Sequence, residues 1–285
     1  MTVEETARLT GADALAADRV GALLPAAGRL GVAFSGGVDS SVLLALAVRA
    51  MGAGRVVAVL GVSPSLAGDE RAGAHRVAAV IGAAVVEVAT HEQEVPAYRA
   101  NGPDRCFHCK NELFTRISDE VAEAHGLTAV AYGENADDVR RPDRPGSRAA
   151  VLHRVLRPLA DAGLDKAAVR RIARALRLPC ADKPAAPCLA SRVPHFEEVS
   201  PRKLAQIEQA EAALRSLGFS DCRVRHHGET ARIELPVDEI ARAAGAVRAE
   251  LLAAVHGAGF ATVTVDLAGI RSGAFTLPLV EVSHG

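Results

Sequence analysis

The sequence has no tryptophan, only two tyrosines, no excess of either charge and no long apolar run. Its 33 basic residues nearly balance 34 acidic ones, so no summed positive field is available to hold a nucleic-acid backbone. No apolar stretch approaches the roughly 20 residues of a spanning helix, and the amino-terminal residues lack the pattern of a signal peptide. These absences favour a cytoplasmic protein that acts on small molecules and binds neither nucleic acid nor membrane.

Cysteine is also scarce, with five residues in a chain of 285. In a reducing compartment such cysteines are better explained as thiols, metal ligands or catalytic groups than as a disulfide framework. The hydrophobic content of 49% is enough to bury a full core, and the length has room for a large domain and a small one.

Apolar runs alternate with helical periodicity over the first part of the chain. Buried strands are predicted at residues 29–34, 55–62, 83–88, 127–132 and 153–159, with helices between them. This alternation predicts an α/β fold, a doubly wound parallel sheet in residues 1–186. An α-β-β-α-β pattern follows and predicts a smaller α+β domain in residues 187–285, with one helix over 237–254.

A glycine-rich turn between the first strand and the next helix is the strongest motif. It consists of Ser35, Gly36, Gly37, Val38, Asp39, Ser40 and Ser41. Glycine lets the backbone approach an anion closely, while the helix adds its positive end, so the turn suits a phosphate. It lacks the Lys of a Walker loop and the spacing of a dinucleotide fingerprint. A turn without a ligand is the alternative, but it has no need of Asp39 and two hydroxyls.

This turn resembles the PP-loop of ATP pyrophosphatases, which cleave ATP between the α and β phosphates to adenylate a substrate. The resemblance, which includes a HUP-like fold, implies ATP and Mg²⁺ as cofactors, with Asp39 holding the magnesium. In that family the turn after the fourth strand approaches the nucleotide, which makes Gly133, Asn135 and Asp138 candidate contacts. The alternative for that turn is an acidic, solvated loop. The neighbouring residues 137–147 are expected to form a mobile loop.

Three of the cysteines have suggestive positions. Cys106 and Cys109 have the spacing of metal ligands and precede a helix predicted over residues 111–125. Cys188 lies at the junction of the two predicted domains. Cys180 and Cys222 are in apolar contexts and are expected to be buried.

Several motifs together resemble the LarE family of sulfur transferases over nearly the whole chain. They are the loop at 35–41, the turn at 132–138, and the segments at 187–192, 223–228 and 266–273. The resemblance implies adenylation of a carboxylate of pyridinium-3,5-biscarboxylic acid mononucleotide, its conversion to a thiocarboxylate in nickel-pincer nucleotide biosynthesis, and a homo-oligomer.

Two branches of that family differ in their sulfur source. One branch sacrifices its own cysteine, and the other holds a 4Fe-4S cluster through three cysteines. Cys106 and Cys109 in addition to Cys188 imply the cluster branch. Sulfur loss from Cys188 alone is one alternative, and a structural zinc held by these cysteines, with or without His108, is another.

A basic motif near the carboxyl end completes the predicted site. Arg223 and Arg225 alternate along a predicted strand and share a face, where together with Ser191 and Arg192 they could hold a substrate phosphate. A solvated strand face is the alternative. Transfer-RNA thiolation is a competing function that also uses a PP-loop and cysteines, but the near-neutral charge and the lack of an evident RNA-binding module count against it. Nucleotide amidation needs no set of three cysteines, and a non-enzymatic carrier explains the loop without Cys188 at the domain junction.

Overall fold

The structure is a computed structural model that describes residues 9–140, 145–184 and 186–271. The described residues form two compact units, one within residues 1–92 and 104–186 and the other within residues 93–103 and 187–285. The predicted division into an adenylating domain, residues 1–186, and a substrate and sulfur-transfer domain, residues 187–285, stays a prediction. None of the helices in the described ranges has the length and apolar character that a bilayer crossing requires.

The first unit is built on a parallel sheet, as predicted, and this sheet has four strands. The strands are β1 (Arg29–Ala33), β2 (Val56–Val62), β3 (Ala84–Ala89) and β4 (Leu127–Tyr132), in the order β3-β2-β1-β4. Leu30 pairs with Val56 on one side and with Ala129 on the other, so β1 lies in the middle.

Helices precede and link these strands. They are α1 (Gly11–Ala22), α2 (Val38–Met51), α3 (Gly68–Ile81), α5 (Arg105–Arg116), α6 (Ala122–His125), α7 (Ala136–Val139), α8 (Pro145–Leu152), α9 (Pro158–Asp161) and α10 (Lys166–Ala175). A π-helical turn, Ile117–Val121, joins α5 to α6.

Both faces of the sheet are covered, because successive strand residues point to opposite sides. Val56, Ala58 and Leu60 of β2 belong to a core with α1, α2, α3 and α10. Val57 and Val59 belong to a second core with α5 and α8. The α/β, doubly wound prediction is therefore confirmed.

The sheet also has a topological switch point. The chain runs outward from β1 through β2 to β3, and then returns to place β4 on the other side of β1. Ligands of open α/β sheets bind beyond the carboxyl ends of the strands at such a point. The turns that follow β1 and β4 are the two nucleotide motifs of the sequence.

Two predictions for this unit were wrong. Residues 153–159 do not form a fifth strand: a single bridge joins Leu156 to Ala131, and Pro158, which has no backbone N–H to donate, begins α9. The helix that follows the CxxC motif begins at Arg105, so that Cys106 and Cys109 lie inside it. In the predicted 137–147 loop, α7 and α8 occupy most of the described positions, and residues 141–144 lie outside them.

The second unit contains a small mixed sheet, which confirms the predicted α+β pattern. Strand β5 (Arg223–His227) is antiparallel to β6 (Thr230–Glu234), which is parallel to β7 (Thr262–Val265). The helices of this unit are α4 (Pro96–Arg99), α11 (Pro201–Ser216), α12 (Ile240–Ala244) and α13 (Arg248–Gly257). The predicted helix over 237–254 is thus broken near Gly245.

Residues 93–103, which we call the crossing segment, are fixed to residues 193–199 of the same unit. The fully buried Asn101 donates through Nδ2 to the carbonyls of Val193 and Pro194, at 3.3 and 2.7 Å. Its own carbonyl accepts from the backbone N–H of Phe196 at 3.1 Å. Asn101 has a φ of 56°, a left-handed conformation that asparagine tolerates better than most residues.

Candidate functional site

The loop after β1 has the backbone that its glycines predict. Gly36 has a φ of 70°, and a Cβ on it would lie 2.7 Å from the Cα of Ala74 in α3. Both facts require glycine at this position. Val38 begins α2 and is buried, which anchors the loop in the core of the unit. The first N–H groups of α2 have no partner within the helix, so they suit an anion.

Hydroxyl groups hold the shape of this loop. Ser40 Oγ donates to the carbonyl of Gly37 at 3.1 Å and accepts from the backbone N–H of Ser35 at 3.3 Å. Ser35 Oγ lies 3.2 Å from Ser40 Oγ and accepts from the N–H of Gly37. Ser41 is fully buried, and its Oγ has no hydrogen-bond partner among the described residues.

The turn after β4 lies against the phosphate loop. A Cβ on Gly133 would be 2.5 Å from the backbone nitrogen of Ser40, so only glycine allows this approach. Asn135 caps α7, accepting from the N–H groups of Asp137 and Asp138 at 3.0 and 3.1 Å. Its Nδ2 donates to Asp39 at 3.2 Å and to the Asp138 carboxylate at 2.9 Å. The structure therefore joins Asp39, Asn135 and Asp138 in one network.

Lys166, which the sequence prediction missed, belongs to the same network. Its Nζ is 2.5 Å from Asp39 Oδ2, and its backbone N–H donates to Asp137 at 2.9 Å. It is the first residue of α10, which brings it to the carboxyl edge of the sheet. A single lysine 127 positions from its partner has no local sequence signature.

Cys106 and Cys109 lie in the first two turns of α5. Cys106 is exposed and Cys109 is half-buried. Their i,i+3 spacing makes them neighbours on the helix surface. His108 Nε2 is 3.1 Å from the Asp104 carboxylate, so the imidazole already has a partner on the preceding turn.

The remaining cysteines separate into one exposed thiol and two buried ones, all of them reduced. Cys180 and Cys222 are buried, as predicted, and burial raises the pKa of the Cys222 thiol to about 12. Cys188 is exposed in the second unit, immediately before a 3₁₀ turn, Leu189–Arg192.

Arg192 fixes the backbone around Cys188. Its Nη1 donates to the carbonyls of Pro187 and Cys188, at 2.7 and 3.3 Å, and to Ser191 Oγ at 3.0 Å. Its Nε and Nη2 form a bidentate pair with Glu211 of α11 at 2.8 and 3.1 Å. Both side chains are buried. This arrangement commits the Arg192 guanidinium to protein acceptors and makes it a support for the cysteine loop.

The basic strand residues also reach this loop. Arg225 donates to the carbonyl of Ser191 at 3.0 Å and to Glu234 at 2.8 Å. Glu234, completely buried, accepts from Arg232 as well, at 3.1 Å. Arg223 bonds through Nη1 to the Asp221 carboxylate and to the carbonyl of Cys222. The sequence prediction missed Glu234, because an isolated strand glutamate is usually a surface residue.

Within the described part of each unit, no three His, Cys, Asp or Glu residues are gathered so that they could hold a metal ion. Cys106 and Cys109 belong to the first unit and Cys188 to the second. The three predicted cluster ligands therefore come from both units, and their binding of one cluster stays a prediction.

Comparison with known proteins identifies the family. A family model described as asparagine synthase matches residues 12–140, which include both nucleotide motifs. The pyridinium-3,5-bisthiocarboxylic acid mononucleotide synthase of Lactiplantibacillus plantarum is 34% identical over 245 residues, covering 86% of this chain and 88% of its own length. This chain belongs to the LarE family. An uncharacterized Synechocystis protein is 42% identical over 243 residues, covering 85% and 90%.

LarE-family membership makes the chain a PP-loop protein and implies an ATP-dependent enzyme. Both of these relatives match over more residues than the first unit contains, so the similarity extends into the second unit.

Proposed function

We propose that the protein is an ATP-dependent sulfur transferase that adenylates a carboxylate of pyridinium-3,5-biscarboxylic acid mononucleotide, releases pyrophosphate and forms a thiocarboxylate. The observation that carries the proposal is an exposed Cys188, on a loop locked by Arg192 and Glu211, in a LarE-family chain with a phosphate loop. A rigid loop suits a sulfur-handling thiol, because a fixed geometry lowers the entropic cost of reaching the reacting carbon.

In the adenylation step the loop at 35–41 would hold the pyrophosphate of ATP with its backbone N–H groups. The substrate carboxylate attacks the α-phosphorus, the bond to the pyrophosphate oxygen breaks, and an acyl-adenylate forms. Fixed N–H groups aimed at the leaving pyrophosphate stabilise the charge that develops on it. Gly133, Asn135 and Asp138 would contact the adenylate or the magnesium.

The residues present fit a magnesium ion. Asp39 supplies a carboxylate at the first turn of α2, and Asn135 links it to the Asp138 carboxylate. Hard oxygen ligands of this kind, together with phosphate oxygens, are what Mg²⁺ prefers. Asp39 would hold the ion, which neutralises phosphate charge when bound, and Lys166 keeps the carboxylate oriented.

The cysteine set fits a 4Fe-4S cluster in its chemistry, because clusters are held by thiolates. Cys106 and Cys109 are neighbours on one helix, and Cys106 and Cys188 are both exposed. These three residues would hold the cluster, which supplies an open iron able to carry a hydrosulfide.

Sulfur loss from Cys188 is the alternative source. Its thiolate would attack the carbonyl carbon of the acyl-adenylate, with AMP as the leaving group. Loss of the Cα proton of Cys188 to solvent would then break the Cβ–Sγ bond of the thioester and leave dehydroalanine and the thiocarboxylate.

The substrate phosphate would be held in the second unit by Ser191, Arg223 and Arg225, and Arg192 would join them only by exchanging one of its protein acceptors, such as Ser191 Oγ, for the phosphate. Both arginines already donate to Ser191, Arg225 to its carbonyl and Arg192 to its Oγ. We also propose a homo-oligomer, which light scattering would test.

ATP use is tested by incubating the protein with ATP, Mg²⁺ and the pyridinium mononucleotide and measuring pyrophosphate. The wild-type protein should release pyrophosphate only when the mononucleotide is present, and Asp39→Asn should lower the rate at least tenfold, as expected for losing a charge-assisted contact. No release from the wild-type protein would contradict the proposal.

The sulfur source is tested by anaerobic purification, iron and sulfide analysis, and mass spectrometry after turnover. With a cluster, Cys106→Ala should abolish repeated thiocarboxylate formation, whereas Cys180→Ala, the matched control at a buried thiol, should not. A mass loss at Cys188 without bound iron would instead establish the sacrificial route. Neither result changes the expected pyrophosphate release.

A further inference from the structure

A second lysine of the first unit lies beside the phosphate loop without belonging to any motif. Lys183 Nζ forms an ion pair with Glu70 Oε2 at 2.7 Å, and both side chains are about one-third exposed (32% and 29%). Glu70 lies in the first turn of α3. A partly solvated pair of this kind contributes little to stability, so a competing anion can displace its carboxylate at low cost.

The position of this ion pair follows from the packing of α3. A Cβ on Gly73 would be 3.9 Å from Lys183 Nζ, and the next residue, Ala74, is the one that Gly36 touches. The Lys183 ammonium group therefore lies beside Gly73 of α3, and the adjacent residue, Ala74, contacts Gly36 of the loop at 35–41. Charges at such a separation are within about one Debye length, so salt does not fully screen them.

The backbone under Lys183 is fixed, whereas its side chain is long and flexible. Arg170 of α10 donates to the carbonyls of Ala181 and Lys183, at 2.9 and 3.3 Å. Arg174 of the same helix pairs with Asp182 at 2.8 Å. The lysine side chain has a flexible stem of four carbons beyond this anchored backbone. Its ammonium group can therefore move by several ångströms without rearranging the segment.

We propose that Lys183 is a polyphosphate-binding residue that exchanges Glu70 for the β- or γ-phosphoryl oxygens when ATP occupies the loop at 35–41. This inference rests on the proposed use of ATP. The polyphosphate carries several negative charges against the single charge of Glu70, so the ammonium is transferred to the nucleotide. AMP lacks these phosphates and leaves the ion pair intact. Lys183 thereby distinguishes ATP from AMP.

The test is calorimetric binding of ATP, pyrophosphate and AMP, with Mg²⁺, to the full-length protein. Lys183→Ala should weaken ATP and pyrophosphate binding roughly tenfold, the value of one charge-assisted bond, and leave AMP affinity unchanged. Lys183→Arg should retain most of the ATP affinity. Arg171→Ala, which removes a surface ion pair with Asp13 from α10, is the matched control and should change neither affinity.

The direction in which Glu70→Gln changes the affinity for ATP decides between the two explanations. Removing the competing carboxylate should tighten ATP binding, whereas a merely structural ion pair predicts that both variants lose affinity and thermal stability together. Equal losses for AMP and ATP in Lys183→Ala, or weaker ATP binding in Glu70→Gln, would overturn the inference. If the wild-type protein bound no ATP, the proposed function itself would fail, which is a distinguishable result.

Discussion

At the scale of single residues, Gly36 combines a conformational and a steric requirement. Its φ of 70° costs an alanine about 1–2 kcal/mol, and the Cβ would also meet α3 at 2.7 Å. Gly36→Ala should therefore lower pyrophosphate release strongly. Gly126→Ala is the matched control, because Gly126 has a φ of 61° with no atom within 4 Å of the added Cβ. It should lose stability but keep activity, and equal activity of the two variants would contradict the steric argument.

Lys166 is the second residue whose role can be isolated. Lys166→Gln removes the cation from Asp39, so the uncomplexed protein should be destabilised by about 0–1 kcal/mol, the range of partly exposed pairs. Mg²⁺ should then raise the melting temperature more in the variant than in the wild type, because the ion replaces the lost charge. Thermal unfolding with and without Mg²⁺ measures this difference. An equal Mg²⁺ effect on the melting temperature of both proteins would mean that Mg²⁺ does not replace the Lys166 charge at Asp39.

Both residues show where prediction from sequence ends. The phosphate loop was predictable because glycine and hydroxyl residues at fixed spacing have few other uses. Lys166 was not, since its partner is far away in sequence and only the return of the chain after β4 brings the two together. The predicted roles of Arg192 and Arg223 rest on their charge, on strand alternation and on the family resemblance, and none of these can show that their nitrogens already bind protein acceptors.

At the scale of secondary-structure elements, α11 supports the loop that carries Cys188. Glu211 faces inward, pairs with Arg192 and accepts from the Val224 N–H of β5 at 3.0 Å. Glu211→Gln leaves a buried guanidinium without its counterion, which should cost about 3 kcal/mol or more. Urea unfolding measures the loss. Glu250→Gln, an exposed carboxylate on α13, is the control and should be nearly neutral; similar losses for both would contradict the argument.

The contact between α3 and β3 gives a pH prediction. Hydrogen bonds from Arg71, and then from His75, lower the pKa of Glu87 to about 2 from its usual 4.5. A depressed acid pKa contributes stability above about pH 4.5 that is lost as the pH falls towards 2. In denaturant melts across that range, Glu87→Gln should show a shallower loss of stability than the wild type. An unchanged slope would mean that the interaction does not contribute.

The boundaries of strands and helices were predicted well where apolar runs are long. They were predicted poorly where a proline ends a strand or where the first residue of a helix had to be located. The run at 153–159 contains Val155 and Leu156, but Pro158 stops any strand pairing after one bridge. Cys106 and Cys109 are inside α5, because the helix begins at Arg105, after the turn at residues 101–104.

At the scale of the whole molecule, the backbone passes between the two units three times, at residues 92–93, 103–104 and 186–187. Cutting at a protease site inserted between residues 186 and 187 should therefore leave two fragments that elute together. The crossing segment stays on the first fragment, while Asn101 binds carbonyls on the second. Asn101→Ala should weaken this association in gel filtration. Fragments that separate without denaturant would contradict the prediction.

No sequence pattern predicted that residues 93–103 pack with the second unit. The segment is short and mixed in composition, and its partners lie more than 90 positions away. The side-chain amide of Asn101, which donates to one buried and one partly buried carbonyl, gives no periodic signal. Long-range hydrogen bonds of this kind appear only once the chain is folded.

The crossing segment also determines the order in which the two units can finish folding during synthesis on the ribosome. Residues 93–103 are synthesised before their partners at 193–199, and at 5–20 residues per second the delay is roughly 5–20 s. During that interval the nascent first unit holds an unpaired insertion between β3 and α5, with the buried surface of Asn101 and Tyr98 still exposed to water. The second unit can close only after the last third of the chain has emerged, so it is the later of the two to mature.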